Sequence, residues 1–318
     1  MRSGVRGRRA VVALGGNAIT RSGEEGSVAQ DYKNLEESLD GVVDMLEGGY
    51  ELLLTHGNGP QVGNQMIRVE LSEGEAPHLP LDVMVADIQG GLGYMIERVL
   101  RAKLRRRGLA HRVCCMLTMT EVRADDPAFD NPTKFVGIAY RQEDVEQLTR
   151  MRGWILREDR GRGWRRVVPS PEPVDIVERQ ELITLMDAGV VVISGGGGGI
   201  PVRRNRRGEP VGVEGVVDKD LASAVIAQVV GAPELFILTA VEQVMLDFGK
   251  STQRGIDQMS VEQAREYLAA GHFPPGSMGP KVEAACRFIE GGGGRVLITD
   301  TAHLTRALEG RTGTWITA

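Results

Sequence analysis

The sequence predicts an α/β three-layer sandwich, a mostly parallel sheet covered on both faces by helices. Three observations predict it. Short apolar, β-branched runs alternate with longer stretches of helical periodicity. Most of the runs are apolar at consecutive positions, as in strands buried on both faces. Three of them lead directly into glycine turns.

In chain order, residues 10–14 (AVVAL) form the first strand. Residues 1–9, with Arg2, Arg6, Arg8 and Arg9, are expected to be a disordered basic leader. The five apolar residues before Gly15 are too few for a signal peptide. Residues 31–47 place Leu35, Leu39, Val42, Val43 and Leu46 at helical spacing, and Gly48-Gly49 ends that helix. A strand follows at 50–55. A long helix at 81–107 carries Val85, Ile88, Leu92, Met95, Ile96 and Val99 on one face. The third strand spans 112–118. From 123 to 173 the rhythm breaks, with Asn131-Pro132-Thr133-Lys134, a turn at 161–163 and three prolines near its end. Fifty structureless residues do not suit a compact domain, so an inserted subdomain is expected there. Strands at 190–194, 234–239 and 295–299 and helices at 218–230, 261–270 and 280–290 complete the pattern. Gly291 to Gly294 form a plain helix-to-strand turn.

Composition narrows the function. The chain is 42% apolar and 25% charged, which excludes wholesale disorder. A net charge of −5 gives no electrostatic case for a nucleic-acid binder. No run of 18 apolar residues occurs, so no membrane span is expected. Cys114, Cys115 and Cys286 have no metal or redox spacing and read as buried thiols of a reducing cytoplasm. Glycine is the anomaly: 42 of 318 residues, about twice the usual share of roughly 7%. The glycines gather after strands. Leu14 leads into Gly15-Gly16-Asn17, His56 into Gly57-Asn58-Gly59-Pro60, and Ser194 into five glycines, Gly195 to Gly199. Open α/β sheets bind ligands at the carboxyl ends of their strands. Glycine turns there present backbone N–H groups to an anion.

Two phosphate loops fail on spacing. Gly249-Lys250-Ser251 has the end of a Walker A motif, but Val244 stands where its first glycine is needed. Gly57-x-Gly59 and Gly195-x-Gly197 put Val62 and Ile200 where a dinucleotide fingerprint needs its last glycine. Kinase chemistry without either loop remains, and it needs positioning and charge neutralisation. Arginine greatly outnumbers lysine, and two lysines stand out by context. Lys219 lies in Val217-Asp218-Lys219-Asp220 and Lys281 in Gly276-Ser277-Met278-Gly279-Pro280-Lys281, each at a helix start. A cation there opposes the helix dipole unless an anion sits beside it. Either lysine alone also reads as a surface charge. Asp218 reads as a helix cap, and Asp220 as a carboxylate that could bridge lysines.

The strings VALGGNA at 12–18, HGNGPQVGN at 56–64 and GGGGIPV at 196–202 resemble carbamate kinases of the amino-acid kinase superfamily. So do NPTK at 131–134, GRGWRRVVPSP at 161–171, DKD at 218–220 and GSMGPKVEA at 276–284. The resemblance runs from about residue 10 to the C-terminus. It implies an eight-stranded sheet, an acceptor-binding part at about 10–190, a nucleotide-binding part at about 191–318 and a lid at 123–173. It implies transfer of phosphate between ATP and carbamate, giving ADP and carbamoyl phosphate. Mg²⁺ would be held through the nucleotide phosphates and by no metal-ligating residue of the chain. A cytoplasmic homodimer and a role in arginine catabolism by the deiminase route are also implied.

On the same footing, Gly15, Gly16 and Asn17 resemble the first phosphate turn. Gly57, Asn58 and Gly59 resemble acceptor contacts, Gly196 and Gly197 a further phosphate turn, and Lys134 a lid lysine reaching carbamate. Lys219 and Lys281 resemble the lysines flanking the transferred phosphoryl group, and Asp220 the aspartate that organises them. Thr239, Ala240, Val241 and Val244, with Met278 and Lys281, would serve the nucleotide. The sequence departs from the family at Ala240, where glycine is frequent, at nearby Glu242, and at Phe135, where proline commonly follows the lid lysine. A lysine usual on the superfamily's first strand is absent at Leu14-Gly15, which favours carbamate kinase over acetylglutamate kinase. An acetylglutamate kinase-like enzyme and a non-catalytic nucleotide or amino-acid sensor are the alternatives.

Overall fold

The computed structural model describes residues 8–21, 23–159, 161–273 and 276–318. Its centre is an eight-stranded sheet. In chain order the strands are β1 (Arg8–Leu14), β2 (Tyr50–His56), β3 (Arg112–Cys115), β4 (Val190–Ile193), β5 (Glu234–Thr239), β6 (Gln258–Ser260), β7 (Arg295–Asp300) and β8 (Thr314–Thr317). Their spatial order is β6-β8-β7-β5-β1-β2-β4-β3. Six strands run parallel, and β8 and β6 run against them at one edge. The middle strands are buried on both faces, so their sequences carry unbroken apolar runs, as at 10–14, 52–54 and 235–238.

Ten helices are described: α1 (Val28–Ser38), α2 (Asp40–Glu47), α3 (Gly59–Leu71), α4 (Leu81–Arg106), α5 (Val145–Arg152), α6 (Arg179–Asp187), α7 (Lys219–Val229), α8 (Val261–Ala269), α9 (Met278–Glu290) and α10 (Leu304–Leu308). Two apolar clusters lie on opposite faces of the sheet. One joins Val12, Leu54 and Phe236 to α1, α2 and α4. The other joins Val11, Leu53 and Ile237 to α6, α7 and α9.

Several expectations are corrected. The helix expected over 31–47 is two helices meeting at Leu39, whose ψ of 2° caps one and opens the other. It starts at Val28 because Ser27 and Gln30 form a capping box. The strand expected over 112–118 stops at Cys115. Gln89 bonds both the N–H and the carbonyl of Thr118, and the chain re-forms as a strand, Met119–Val122, in a separate four-stranded sheet. Two residues expected in the leader over 1–9 are part of the sheet instead. Arg8 and Arg9 belong to β1, with Arg9 bonded to Val230 O at 2.8 Å and to Asp187 at 2.7 Å. Residues 1–7 lie outside the described residues. Cys286 is buried, while Cys114 and Cys115 are half-buried.

Residues 134–168 stand outside the central sheet. Strands Lys134–Tyr140 and Ile155–Asp159 flank Gly163–Val168 in an antiparallel sheet, with α5 on it. Polar contacts seat this unit on the main body. Tyr140 Oη donates to Glu70 at 2.6 Å, and Arg152 pairs with Glu73. The Arg152 and Arg166 guanidinium carbons lie 4.7 and 4.8 Å from the Trp154 ring centre. Glu214 joins Arg166, at 2.8 Å, to the first N–H of α4, at 2.9 Å.

Candidate active site

Parallel register gathers the glycine turns at one sheet edge. Leu14 pairs with both His56 and Leu238, and Leu54 pairs with Ile193. The residues that follow, Gly15, Gly57, Thr239 and Ser194, therefore emerge side by side. The turns are too close for side chains. A Cβ on Gly15 would lie 2.6 Å from Leu238 O, and one on Gly57 would lie 3.0 Å from Gly16 N. In the third turn, Gly195, Gly197, Gly198 and Gly199 have φ of 62–93°, the left-handed region that glycine enters freely. A Cβ on Gly197 would collide with the Asn58 amide, so the third turn lies against the second.

α7 begins at Lys219 because Asp218 caps it. The Asp218 carboxylate accepts from the N–H of Asp220 at 2.9 Å and of Leu221 at 3.3 Å. Lys281 sits in the first turn of α9. Packing of α7 on α9 brings the two lysines to one carboxylate. Lys219 Nζ donates to Asp220 Oδ1 at 2.6 Å and Lys281 Nζ to Oδ2 at 3.1 Å. The Asp220 side chain is 6% exposed. Burial works against its ionisation, but the two ammonium groups overcome it and hold the carboxyl down at about 2. Two cations share one anion here, and two helix N-termini add positive potential. The surplus charge invites an anion.

That surplus faces a cleft of about 690 Å³, lined by Asn17, Asn58, Gly197, Lys134, Arg165 and Lys219 among others. Gly57 and Gly59 also line it, whereas Gly15 and Gly196 are buried behind it with Gly16 beside them. Lys134 enters from the small sheet. Its side chain is 45% exposed and its Nζ lies 3.6 Å from Asp218. Asp220 and Lys281 do not line the cleft themselves but are joined to Lys219 through the shared carboxylate.

The nucleotide residues are more dispersed. Ala240 is exposed, Thr239 and Val241 are half-buried at and just past the end of β5, and Met278 is half-buried at the start of α9; none of them lines this cleft. Val244 is corrected. It is wholly buried, its N–H donates to Thr314 Oγ1 at 2.9 Å, and its side chain belongs to the core, because it opens a hairpin strand (Val244–Leu246). Arg165 was not singled out from the sequence. It reaches the cleft because the middle strand of the small sheet places it beside Gly137, whose carbonyl it bonds at 3.1 Å, while Asp159 holds its other end at 2.9 Å. Its only signal was the string GRGWRRVVPSP.

Among the described residues, no three His, Cys, Asp or Glu side chains gather to hold a metal. Asp220 is engaged by two lysines and Asp218 by the α7 backbone and Lys134, while Glu24 and Glu25 also line the cleft.

Residues 8–300 match the Amino acid kinase family. Carbamate kinase from Pyrococcus furiosus is 45% identical over 98% of this chain and 99% of its own length. Carbamate kinase from Clostridium perfringens is 40% identical over 96% of this chain and 98% of its own. The structure of carbamate kinase from Giardia lamblia bound to AMP-PNP superposes with a TM-score of 0.93 at 38% identity, covering 98% of each chain. With one family matched along nearly the whole sheet and carbamate kinases matched almost end to end, the chain belongs to the amino acid kinase family, in its carbamate kinase branch.

Proposed function

We propose that this chain catalyses the reversible reaction ATP + carbamate ⇌ ADP + carbamoyl phosphate. The observation that carries the reading is the pair Lys219 and Lys281 bracketing Asp220 behind a cleft walled by three glycine turns. Carbamate brings an oxygen that is already anionic, so no base must deprotonate it. The barrier is the approach of one anion to another. Lys219 and Lys281 offset that repulsion, and the glycine turns supply N–H donors to the phosphoryl oxygens. Asp220, held at about 2, is a poor base at neutral pH and orients the lysines instead. Lys134 contacts the carbamate side from the small sheet, which serves as a lid over an acceptor part at 10–190. The part at 191–318 binds the nucleotide through Thr239, Ala240, Val241, Met278 and Lys281. Asp218 and Asp220 are engaged with lysines and the α7 backbone, so Mg²⁺ would be held through the nucleotide phosphates, where it would offset their charge.

ATP formation in arginine catabolism, a homodimer and a cytoplasmic location complete the proposal on the strength of the resemblance. No described helix is long and apolar enough to cross a membrane. A coupled assay with ATP tests the acceptor: turnover is expected with carbamate and none with N-acetylglutamate. The opposite preference, or nucleotide binding without turnover, would overturn the reading.

A further inference from the structure

Beneath the glycine turns lies a layer of buried polar side chains: Thr55, His56, Gln89, Thr118, Ser194 and Ser223. Most of them satisfy one another. Thr55 and Ser223 hydroxyls are 2.7 Å apart, Thr118 and Ser194 hydroxyls 2.6 Å apart, and Gln89 bonds the Thr118 backbone at 3.0 and 3.1 Å. His56 is different, because its ring meets two of the turns. It is the last residue of β2 and is 1% exposed. Its Nδ1 lies 3.0 Å from Gly57 O. A Cβ on Gly196 would overlap its Nε2 and Cε1, so the third turn packs directly on the ring.

A carbonyl oxygen only accepts, so Nδ1 carries the hydrogen of this bond. Burial keeps the ring neutral by pushing it down to about 4; the bond to Gly57 works the other way, and the charge of Lys219 adds to the lowering. The peptide whose carbonyl is held runs from Gly57 to Asn58. Its N–H belongs to Asn58, which lines the cleft and abuts Gly197.

We infer that His56 is a positioning residue for the transfer: its Nδ1–H fixes the Gly57–Asn58 peptide, and its ring sets the second glycine turn against the third. It touches no reacting atom. The inference rests on the proposed phosphoryl transfer, and wild-type activity reports on that reading separately from the variants. His56→Leu keeps bulk without a donor. His56→Asn places an amide nitrogen where Nδ1 stands, and His56→Gln places one nearer Nε2. Misplacement of reacting groups by about 1 Å costs about 10² in rate. ATP formation from ADP and carbamoyl phosphate is therefore expected to fall about 10²-fold in kcat for His56→Leu and His56→Gln, with the KM for ADP unchanged. His56→Asn is expected to restore most of it. A wild-type kcat in His56→Leu, or His56→Gln matching or exceeding His56→Asn, would overturn the inference. The tautomer offers a readout without turnover. Imidazole ¹⁵N shifts of the folded wild-type protein, assigned by the signal missing from His56→Asn, are expected to show a neutral ring with hydrogen on Nδ1 at pH 6. Hydrogen on Nε2 instead would overturn the positioning bond.

Discussion

Replacing Asp220 by asparagine tests the charge arrangement behind the cleft. The substitution keeps the shape and removes the carboxylate charge that Lys219 and Lys281 share at 2.6 and 3.1 Å. Opposite unit charges about 4 Å apart attract by about 4 kcal/mol at an effective dielectric of 20. Desolvation of three ions offsets much of this. The net cost of removing one partner from a buried pair is about 3–5 kcal/mol, because the other charge stays behind. At about 2–4 °C per kcal/mol, Asp220→Asn is expected to lower the melting temperature by about 6–20 °C, towards the lower end for a chain of this length. The two ammonium groups would then face each other without a shared anion, and turnover is expected to fall. Inorganic phosphate supplies the missing negative charge, and is expected to raise the melting temperature of Asp220→Asn more than that of the wild type. Scanning calorimetry with and without phosphate measures both effects. An unchanged melting temperature with equal phosphate responses would refute the shared-carboxylate argument.

Four further outcomes are expected. Lys219→Ala and Lys281→Ala should each lose about 10²–10³ in kcat while remaining folded, the usual cost of one transition-state donor; steady-state ATP formation with circular dichroism checks this. Lys134→Ala should mainly raise the KM for carbamate, since the lysine is 45% exposed on the small sheet and pairs only weakly with Asp218. Gly197→Ala should destabilise by at least about 1–2 kcal/mol from its left-handed backbone alone, and more from the clash with Asn58, whereas a Cβ at Gly59 meets nothing within 4 Å and Gly59→Ala should melt normally. Asp220 is held at about 2, below its ordinary 3.8, so its contribution to stability is complete above about pH 4 and is lost as pH falls through about 2. Acid unfolding of Asp220→Asn should lack that component.

The inner strands were legible because burial on both faces writes itself as unbroken apolar runs, as at Ala10–Leu14 within β1. Helix α7 was legible in its cap, since Asp218 does what a residue before a helix is expected to do. The two strands β6 and β8 at one side of the sheet were not foreseen. They have three and four residues, and Trp315 in β8 is fixed by contacts distant in sequence: Phe236, and Arg295 stacked over its ring. Helix α3 was hidden because Gly59, Pro60 and Gly63 read as loop, although Pro60 in the first turn costs no hydrogen bond. In the site, the lysines and glycines carried local signals. Val244 did not: its burial depends on Thr314, 70 residues away. Arg165 likewise reaches the cleft only through strand pairing in the small sheet. The coupling of Lys219 and Lys281 through Asp220 is a helix-packing fact, suggested by the residue types and made geometric by α7 against α9.

The proposed transfer of a phosphoryl group between carbamoyl phosphate and ADP rests on the charge that Lys219 and Lys281 supply to this cleft. The most direct measurement is ATP formation by purified protein from ADP, Mg²⁺ and carbamoyl phosphate, run beside Lys219→Ala. Rapid ATP formation by the wild type, falling at least about 10²-fold in the variant, is the expected result. No ATP from the wild type, or equal rates from both proteins, would overturn that assignment.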